Sequence, residues 1–275
     1  MPYVEANGVR LFYESTGDGE PLVLAHGSWG DHHNWDLVVP GLADNFRVIT
    51  YDRRGHSESE RPATQGSFDE DADDLAALIL ALAIGPARVV GNSGGSIIAL
   101  KTAIRHPDVI RSLVVHEPPA VKLLDGRPEF ADALAGFDRR IQPVAELLSK
   151  QRWEEAAQLF ANTLAIGPEA WETSMSPEFR ATFVRNAPTF WDELHDADGL
   201  NLDLGRLAAF PRPILLTAGN ASAPFFAAVA EAIATAVPAV QYELLDGVDH
   251  VPHLSAPDLY LRRVTGFLAS PTVSA

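Results

Sequence analysis

A serine on a tight turn is the residue whose surroundings in this sequence best fit chemistry. Ser93 lies in the segment Gly91-Asn92-Ser93-Gly94-Gly95, after an apolar, β-branched run and before a run with helical periodicity. The spacing Gly-x-Ser-x-Gly between a strand and a helix is typical of a nucleophile elbow, in which small residues permit the turn and the serine hydroxyl stands clear of the sheet. The alternative is a turn that only caps a helix, with Ser93 or Ser96 as the N-cap.

Backbone N–H groups are the second chemical component that the sequence indicates. The helix that begins after Ser93 directs N–H groups at the place where an oxyanion would form. A second loop, His26-Gly27-Ser28, follows a continuous apolar strand. It has the position of the loop that supplies the other N–H group to such a site. We therefore predict that the N–H groups of Ser28 and Gly94 form an oxyanion hole.

Alternating strands and helices must position these groups. After an opening hairpin with a type I′ turn at Asn7-Gly8, the alternation predicts the α/β class, with a mostly parallel, doubly wound sheet. Ligands in such sheets bind beyond the carboxyl ends of the strands. Four predicted strand ends converge there: His26-Gly27, Asp52-Arg53, Asn92-Ser93 and His116-Glu117.

The alternation stops between residues 120 and 205, where the sequence has a helical pattern and many aromatic residues. An inserted helical cap over the strand ends explains this change, with only a few of the aromatic residues facing the pocket. We predict an α/β core of residues 1–119 and 206–275 and a helical cap of residues 120–205. The predicted cap helices are 128–149, 153–164, 177–185 and a piece near 189–196.

Two polar segments are predicted to be structural rather than catalytic. The run Asp52–Ser57 is expected to be a solvated loop with internal hydrogen bonds. Ser67, with Glu70 three residues later, predicts a capped helix start. The acidic residues at positions 69–74 are expected to cap this helix and to interact with its positive end.

Composition limits the function classes. The chain has 275 residues, 47% hydrophobic and 21% charged, with a net charge of −16 and no cysteine. Thiolate chemistry and disulfides are therefore excluded, and nucleic acid and anionic membranes are unfavourable partners. The chain starts without a signal-like segment, so we expect a cytoplasmic protein. The negative net charge favours a small neutral or apolar substrate over a polyanion. A homodimer is left open.

Three histidines near one loop raise the question of a metal. His26, His32 and His33 fit no helical pair of ligands, and no carboxylate completes the set. We therefore expect neither a metal nor another cofactor.

The sequence resembles the α/β-hydrolase superfamily on four motifs that span almost the whole chain in the family's order. These are His26-Gly27, Asp52-Arg53-Arg54-Gly55-His56-Ser57, Gly91-Asn92-Ser93-Gly94-Gly95 and Gly247-Val248-Asp249-His250-Val251-Pro252-His253. The resemblance implies the α/β-hydrolase fold, Ser93 as nucleophile and His250 as the base that takes its proton. His253 competes for the role of base, with packing or helix capping as its structural alternative.

The acid that should orient the histidine departs from the family's usual pattern. The family often carries an Asp in the loop after the strand that ends here at Gly219, but this loop contains no carboxylate. Some relatives, including certain dehalogenases, carry the acid one strand earlier, which implies Glu117 here. Asp246, Asp249 or no acid at all remain alternatives, and a salt bridge beneath the cap is the structural alternative for Glu117.

The resemblance implies a cofactor-free serine hydrolase that acts on a carboxylic ester or lactone of a medium-sized apolar substrate through an acyl-enzyme. We predict Trp29, Asn92 and His253 as substrate contacts. The same site on this fold also serves carbon–carbon bond hydrolysis, perhydrolysis and cyclisation of natural-product intermediates. A non-catalytic ligand-binding protein that kept the pocket is the second function class, and a scaffold protein is the third.

Overall fold

An eight-stranded, mostly parallel sheet forms the centre of the protein in a computed structural model, which describes residues 2–269. The strand order is β1-β2-β4-β3-β5-β6-β7-β8, with antiparallel pairing of β1 with β2 and of β2 with β4 and parallel pairing elsewhere. The strands are β1 Tyr3–Ala6, β2 Val9–Thr16, β3 Glu20–Ala25, β4 Phe46–Tyr51, β5 Ala87–Asn92, β6 Ile110–His116, β7 Ile214–Gly219 and β8 Val240–Leu245. The predicted doubly wound α/β architecture is confirmed.

Helices cover both faces of this sheet and fill the insertion between β6 and β7. The α-helices are α1 Val39–Ala43, α2 Phe68–Ala81, α3 Gly94–Arg105, α4 Ala131–Ser149, α5 Trp153–Phe160, α6 Ala170–Thr173, α7 Pro177–His195, α8 Leu204–Ala208, α9 Pro224–Ala236, α10 Pro252–Ser255 and α11 Pro257–Ala269. Short 3-10 turns lie at His32–Trp35, Pro107–Val109, Val121–Leu124 and Pro128–Phe130, and a π-helical turn lies at Ala161–Ala165. Within residues 2–269, no helix combines the length and apolarity that a bilayer crossing requires.

The apolar core has two parts, one on each face of the sheet. The smaller part lies between the sheet and the helices α1 and α11 and includes Trp35, Leu42 and Tyr260. The larger part lies under α2, α3 and α9 and continues without a break into the helical insertion. The insertion is therefore packed on the core through apolar contacts. Burial of apolar surface stabilises a fold by about 25 cal/mol per Å².

Helix α7 differs from the prediction, because the two expected pieces are one helix that runs through Pro188. A proline inside a helix removes one backbone hydrogen bond, yet α7 buries Phe183, Ala187 and Phe190 around this position. The packing of that apolar face offsets the lost hydrogen bond. The continuous helix brings residues on both sides of Pro188 against the loops at the strand ends.

Polar contacts attach α7 to these loops. The buried Asn186 side chain accepts a hydrogen bond from the Ser57 N–H at 3.0 Å and donates one to the Gly30 carbonyl at 2.8 Å. One turn later, the Thr189 hydroxyl donates to the Gly55 carbonyl at 2.8 Å. These bonds fix which face of α7 lies over the carboxyl ends of the strands.

Candidate active site

The turn between β5 and α3 holds Ser93 in a strained conformation. Its backbone has φ 55° and ψ −123°, a region that residues other than glycine rarely adopt. A Cβ atom at Gly95 would lie 2.1 Å from the Ala25 carbonyl oxygen, and one at Gly91 would lie 2.5 Å from the Gly95 oxygen. Only glycine therefore permits this close approach of helix and strands. The Ser93 side chain makes no capping hydrogen bond, so the helix-capping alternative does not describe it.

His250 and Glu117 meet beyond the carboxyl ends of β6 and β8, which β7 separates in the sheet. Glu117 directly follows β6, and His250 lies in the loop between β8 and α10. The distance between His250 Nδ1 and Glu117 Oε2 is 2.6 Å, and the Gly219 N–H donates to Glu117 Oε1 at 2.7 Å. Both carboxylate oxygens therefore have a donor. The predicted contact is present, and it leaves Nε2 as the ring nitrogen available to Ser93.

The electrostatic surroundings of Glu117 favour its charged form. Glu117 is fully buried. Burial by itself works against ionisation, but the neighbouring His116, the hydrogen bond with His250 and the Gly219 N–H together hold the pKa of Glu117 below its usual value. A carboxylate in this state fixes the tautomer of the imidazole and stabilises its protonated form.

Three further contacts hold the loop of His250 in place. Asn92 Nδ2 donates to the His250 carbonyl oxygen at 2.8 Å, and the Phe226 ring stacks on the imidazole with centroids 4.1 Å apart. His116 Nε2 lies 3.1 Å from the carbonyl oxygen of Asp249. Residues at the ends of β5 and β6 and one residue of α9 thus hold the imidazole and its loop.

The two predicted oxyanion donors lie side by side. A Cβ atom at Gly94 would be 3.4 Å from the backbone nitrogen of Ser28 and 2.7 Å from its hydroxyl oxygen. Among the hydrogen bonds of the described residues, none uses the N–H group of Ser28 or Gly94. His56 Nε2 lies 2.9 Å from the Ser28 carbonyl oxygen, and burial lowers the pKa of His56 to about 4, so a neutral imidazole positions this loop.

A cavity joins these groups to the helical insertion. Three side chains of the predicted site line it, namely Ser28, Ser93 and His250, together with Glu193 of α7 and an apolar wall. The wall consists of Phe68, Pro119, Phe137, Ile141, Phe160, Leu164, Phe190, Leu194, Leu200, Phe225 and Phe226. The cavity offers about 40 Å³ to the centres of water molecules. This is room for only a few waters, since one water needs about 10–15 Å³.

Comparison with known proteins assigns the family. A family model described as "alpha/beta hydrolase fold" matches residues 20–257, which is most of the chain. The protein is a member of the α/β-hydrolase family. This agrees with the sheet topology and with the resemblance that the four sequence motifs carry.

Individual relatives are hydrolases with several substrates. The 2-hydroxymuconate semialdehyde hydrolase of Pseudomonas sp. (strain CF600) is 33% identical over 78% of this chain and 75% of that protein. The zearalenone hydrolase of Bionectria ochroleuca is 28% identical over 94% and 93%. The solved structure of an N-acyl homoserine lactone degrading enzyme has a TM-score of 0.72 and 26% identity, and the match covers 97% of this chain and 100% of that one.

The carboxylates of the two alternative acids have partners other than the His250 imidazole. Asp246 is exposed and accepts a hydrogen bond from the Asn220 side chain at 2.7 Å. Asp249 accepts from the Val251 N–H at 3.0 Å and from the Ser255 hydroxyl at 2.7 Å. Neither carboxylate contacts the imidazole in the described structure, whereas Glu117 does.

The three predicted substrate contacts do not line this cavity in the described structure, and their contact with substrate stays a prediction. Trp29 is buried behind the wall, where its ring packs against Phe160 and Phe190 at centroid distances of 4.9 and 4.8 Å. The Asn92 amide holds the His250 loop. His253 is fully buried against Trp35, 4.5 Å away, and burial lowers its pKa to about 3. Ring packing therefore holds Trp29 and His253 in these places, and a hydrogen bond holds Asn92.

The polar run after β4 also differs from the prediction, since it is buried rather than solvated. Arg53 is fully buried, and its Nη2 donates to Asp71 at 2.8 Å and to Glu193 at 2.7 Å. Arg54 pairs with Asp74 at 2.6 Å. Two of the acids assigned to helix capping therefore serve as partners of buried guanidinium groups.

Glu193 is the cavity residue that the sequence did not indicate. It lies 140 positions from Arg53 in the chain, and the local sequence of α7 carries no motif that distinguishes it from other helical acids. The pairing depends on how the insertion docks on the core. Within residues 2–269, no group of three or more potential ligands is arranged to hold a metal ion.

Proposed function

We propose that this α/β-hydrolase is a serine hydrolase that cleaves a carboxylic ester or lactone of an apolar substrate through an acyl-enzyme. The observation that carries the proposal is the arrangement around one cavity. Ser93 and His250 face it, Glu117 holds His250 Nδ1 at 2.6 Å, and the unused N–H groups of Ser28 and Gly94 lie beside it. The proposal needs no cofactor.

In the proposed reaction, His250 Nε2 takes the proton of Ser93 Oγ while this oxygen attacks the acyl carbon. The charge that develops on the carbonyl oxygen is stabilised by the N–H groups of Ser28 and Gly94. The protonated His250 then donates its proton to the leaving alkoxide oxygen, and the C–O bond breaks. Water that His250 deprotonates attacks the acyl-enzyme, and the carboxylic acid and free Ser93 result.

The apolar wall sets the expected substrate class. Phenylalanine and leucine side chains from the insertion and from α9 favour an acyl or alkoxy group without charge. The small free volume means that the insertion must move to admit an ester. We therefore propose that residues 120–205 act as a lid over the site.

Hydrolysis of a series of p-nitrophenyl esters with increasing acyl length tests the proposal. We expect release of p-nitrophenol with an optimum chain length, and a loss of at least about 10³-fold in kcat for Ser93→Ala, because the nucleophile is removed. The melting temperature of Ser93→Ala should stay close to that of the wild type. Turnover by Ser93→Ala at the wild-type rate would refute Ser93 as the nucleophile.

The second measurement separates an enzyme from a binding protein. A fluorophosphonate should label Ser93 of the wild type, and no label is expected on a protein whose serine is not activated. Labelling without hydrolysis of any ester in the series would direct the search to the other reactions of the same site, such as carbon–carbon bond hydrolysis or cyclisation. Absence of both labelling and hydrolysis would refute the proposed function.

A further inference from the structure

A second buried carboxyl group faces the cavity, and the proposed reaction does not use it. Glu193 of α7 is 6% exposed and lines the cavity next to Ser28 and Ser93. Arg53 Nη2 donates to its Oε1 at 2.7 Å. In the described structure its Oε2 is buried without a hydrogen-bond partner. An unpaired buried carboxylate oxygen is costly, so a hydrogen-bond donor on a bound substrate that reaches Oε2 would be favourable.

The charged groups around Glu193 do not pair with Oε2 in the described structure. Arg53 lies between two carboxylates, because its Nη2 also contacts Asp71 of α2 at 2.8 Å. Nη2 therefore serves both acids, whereas Arg53 Nη1 is buried without a partner in the described structure, so the guanidinium has a spare donor that does not pair with Oε2. The Ser28 hydroxyl lies near Glu193 and lowers the pKa of its carboxyl group, but it does not offset the effect of burial, which raises that pKa. A further hydrogen-bond donor in the cavity would satisfy Oε2.

The position of Glu193 defines where such a donor would sit on a substrate. Its neighbour Ser28 carries one of the proposed oxyanion N–H groups, so the Glu193 side chain lies on the oxyanion side of the cavity. Apart from Ser28, Ser93, His250 and Glu193, the lining side chains are apolar. A donor that reaches Oε2 must therefore be attached a short distance from the scissile carbonyl group.

We propose that Glu193 is a specificity-determining residue that accepts a hydrogen bond from a substrate hydroxyl within about three bonds of the scissile carbonyl carbon. The inference rests on the proposed function, since it takes the carbonyl to lie between Ser93 and the N–H groups of Ser28 and Gly94. A hydroxyl fits better than an ammonium group, because the aromatic and aliphatic wall offers a second charge no solvation. The preferred substrates are thus hydroxylated esters or lactones.

Three methyl esters that differ only in the substituent on carbon 3 test this inference. Methyl 3-hydroxyhexanoate carries the donor, methyl 3-methoxyhexanoate has the same oxygen without a proton, and methyl hexanoate lacks the oxygen. At about pH 8 we expect the wild-type kcat/KM to be at least about tenfold higher for the hydroxy ester than for the methoxy ester, as for a hydrogen bond to a charged group. Release of the acid is measured by chromatography.

Glu193→Gln should abolish this preference while preserving the fold. Arg53 would hold the amide oxygen at the place of Oε1, so the amide NH₂ would face the cavity. A donor then replaces the acceptor, and the hydroxy and methoxy oxygens accept from it equally well. We expect the ratio of kcat/KM values to fall to about one, through KM more than kcat. Asp192→Asn, which neutralises a partly exposed acid that lies on the same helix and pairs with Arg61, should keep the wild-type ratio.

Binding to Ser93→Ala gives the same information without turnover. We expect calorimetry to show at least about tenfold tighter binding of the hydroxy ester than of the methoxy ester, and equal binding when Glu193→Gln is added. Equal affinities in the parent Ser93→Ala protein would overturn the inference and would mean that a buried water satisfies Oε2. Hydrolysis of methyl hexanoate by the wild type together with a ratio of one would refute the role of Glu193 and leave the proposed function standing.

Discussion

Two buried glutamates lie at the candidate site, one in contact with His250 and the other in the cavity wall with Ser93 and His250, and their environments shift their pKa values in opposite directions. Glu117 ends a central strand, and each of its oxygens has a donor, His250 Nδ1 on one side and the Gly219 N–H on the other. Glu193 comes from the insertion and has one paired and one unpaired oxygen. Both side chains are nearly inaccessible to water.

The pKa values of the two carboxyl groups differ although both groups are buried. The pKa of Glu117 stays below its usual value, although burial opposes its ionisation, because His116, His250 and Gly219 favour the charge. Burial raises the pKa of Glu193 to about 7, since Arg53 and Ser28 offset only part of the cost and Asp71 repels the charge. Groups whose environments separate their pKa values in this way often have different roles in one site.

The sheet and the insertion contribute different kinds of groups to the site. Strand ends provide backbone donors at fixed places, so they can hold a charged carboxylate against a histidine. A helix that docks from the insertion brings a side chain whose partners come only from docking. The roles that we propose are orientation of the base for Glu117 and recognition of substrate for Glu193.

The largest expected effect is that of Glu117→Gln. The Gly219 N–H would keep the amide oxygen, so the amide NH₂ would face His250 Nδ1. This forces the imidazole into the tautomer with a proton on Nε2, which cannot accept the proton of Ser93. We expect kcat for ester hydrolysis to fall by about 10³–10⁴-fold. Steady-state kinetics with the best p-nitrophenyl ester measure it.

Asp249→Asn is the matched control for this change, because it alters an acid next to His250 that does not touch the ring. Its amide oxygen can still accept from the Val251 N–H. We expect only a small change in kcat. A loss in Asp249→Asn as large as that in Glu117→Gln would contradict the assignment of Glu117 and would favour Asp249 as the acid.

The next effect concerns pH and the preference for a hydroxyl group. The groups around the Glu193 carboxyl are Arg53 after β4, Asp71 of α2 and the Ser28 hydroxyl. With a pKa of about 7, Glu193 is mostly ionised at about pH 8 and accepts only, whereas at about pH 6 it is mostly protonated and donates to either oxygen. The ratio of kcat/KM for the hydroxy and methoxy esters should therefore fall severalfold as the pH is lowered.

The ratio of two substrates is the useful quantity here, because the titration of the shared catalytic groups cancels. Glu193→Gln should show a ratio that does not depend on pH across this range. A wild-type ratio that stays constant between about pH 6 and pH 8, or that rises at low pH, would contradict the distinction between the two glutamates.

The smallest effect is expected from loosening α7. Asn186→Ala removes the partners of the Ser57 N–H and the Gly30 carbonyl, and an unsatisfied buried polar group costs about 1–3 kcal/mol. We expect a lower melting temperature and a lower hydroxyl preference, with a smaller change in kcat for methyl hexanoate. Strand ends hold Glu117 and His250, but the attachment of α7 holds Glu193.

Thr182→Val is the control for this experiment, since Thr182 lies on the same helix and contacts Asp31 at a longer distance of 3.2 Å. Its effects on melting temperature and preference should be smaller than those of Asn186→Ala. An equal loss of hydroxyl preference and of turnover of methyl hexanoate in Asn186→Ala would show that α7 supports the whole site, and it would remove the proposed division between scaffold and insertion.

Features that depend on neighbouring residues could be predicted from the sequence. The turn at Asn7 and Gly8 has positive φ values of 49° and 77°, and Ser67 caps its helix through the Glu70 N–H at 3.2 Å. The elbow around Ser93 depends on glycines within two positions of it. The order of strands and helices likewise gave the doubly wound sheet, because parallel connections are short and right-handed.

Features that depend on docking between distant segments could not be predicted. The pairing of Arg53 with Glu193 joins residues 140 positions apart. The continuity of α7 through Pro188 comes from the packing of its apolar face, which outweighs the local preference of proline. The packing of the His253 ring against Trp35 is a third example, because nothing in the sequence of its loop indicates that contact.

The rate at which a fluorophosphonate labels Ser93 is the most direct test of whether Glu117 and His250 activate this serine, because it reports the activated nucleophile without assuming a substrate. We would compare the wild type with Glu117→Gln and His250→Ala and would map the label by mass spectrometry of peptides. We expect one label, on Ser93, and second-order rate constants of labelling at least about 10²-fold lower in both variants than in the wild type. A label on another residue, or equal rates in all three proteins, would contradict a site in which Glu117 and His250 activate Ser93.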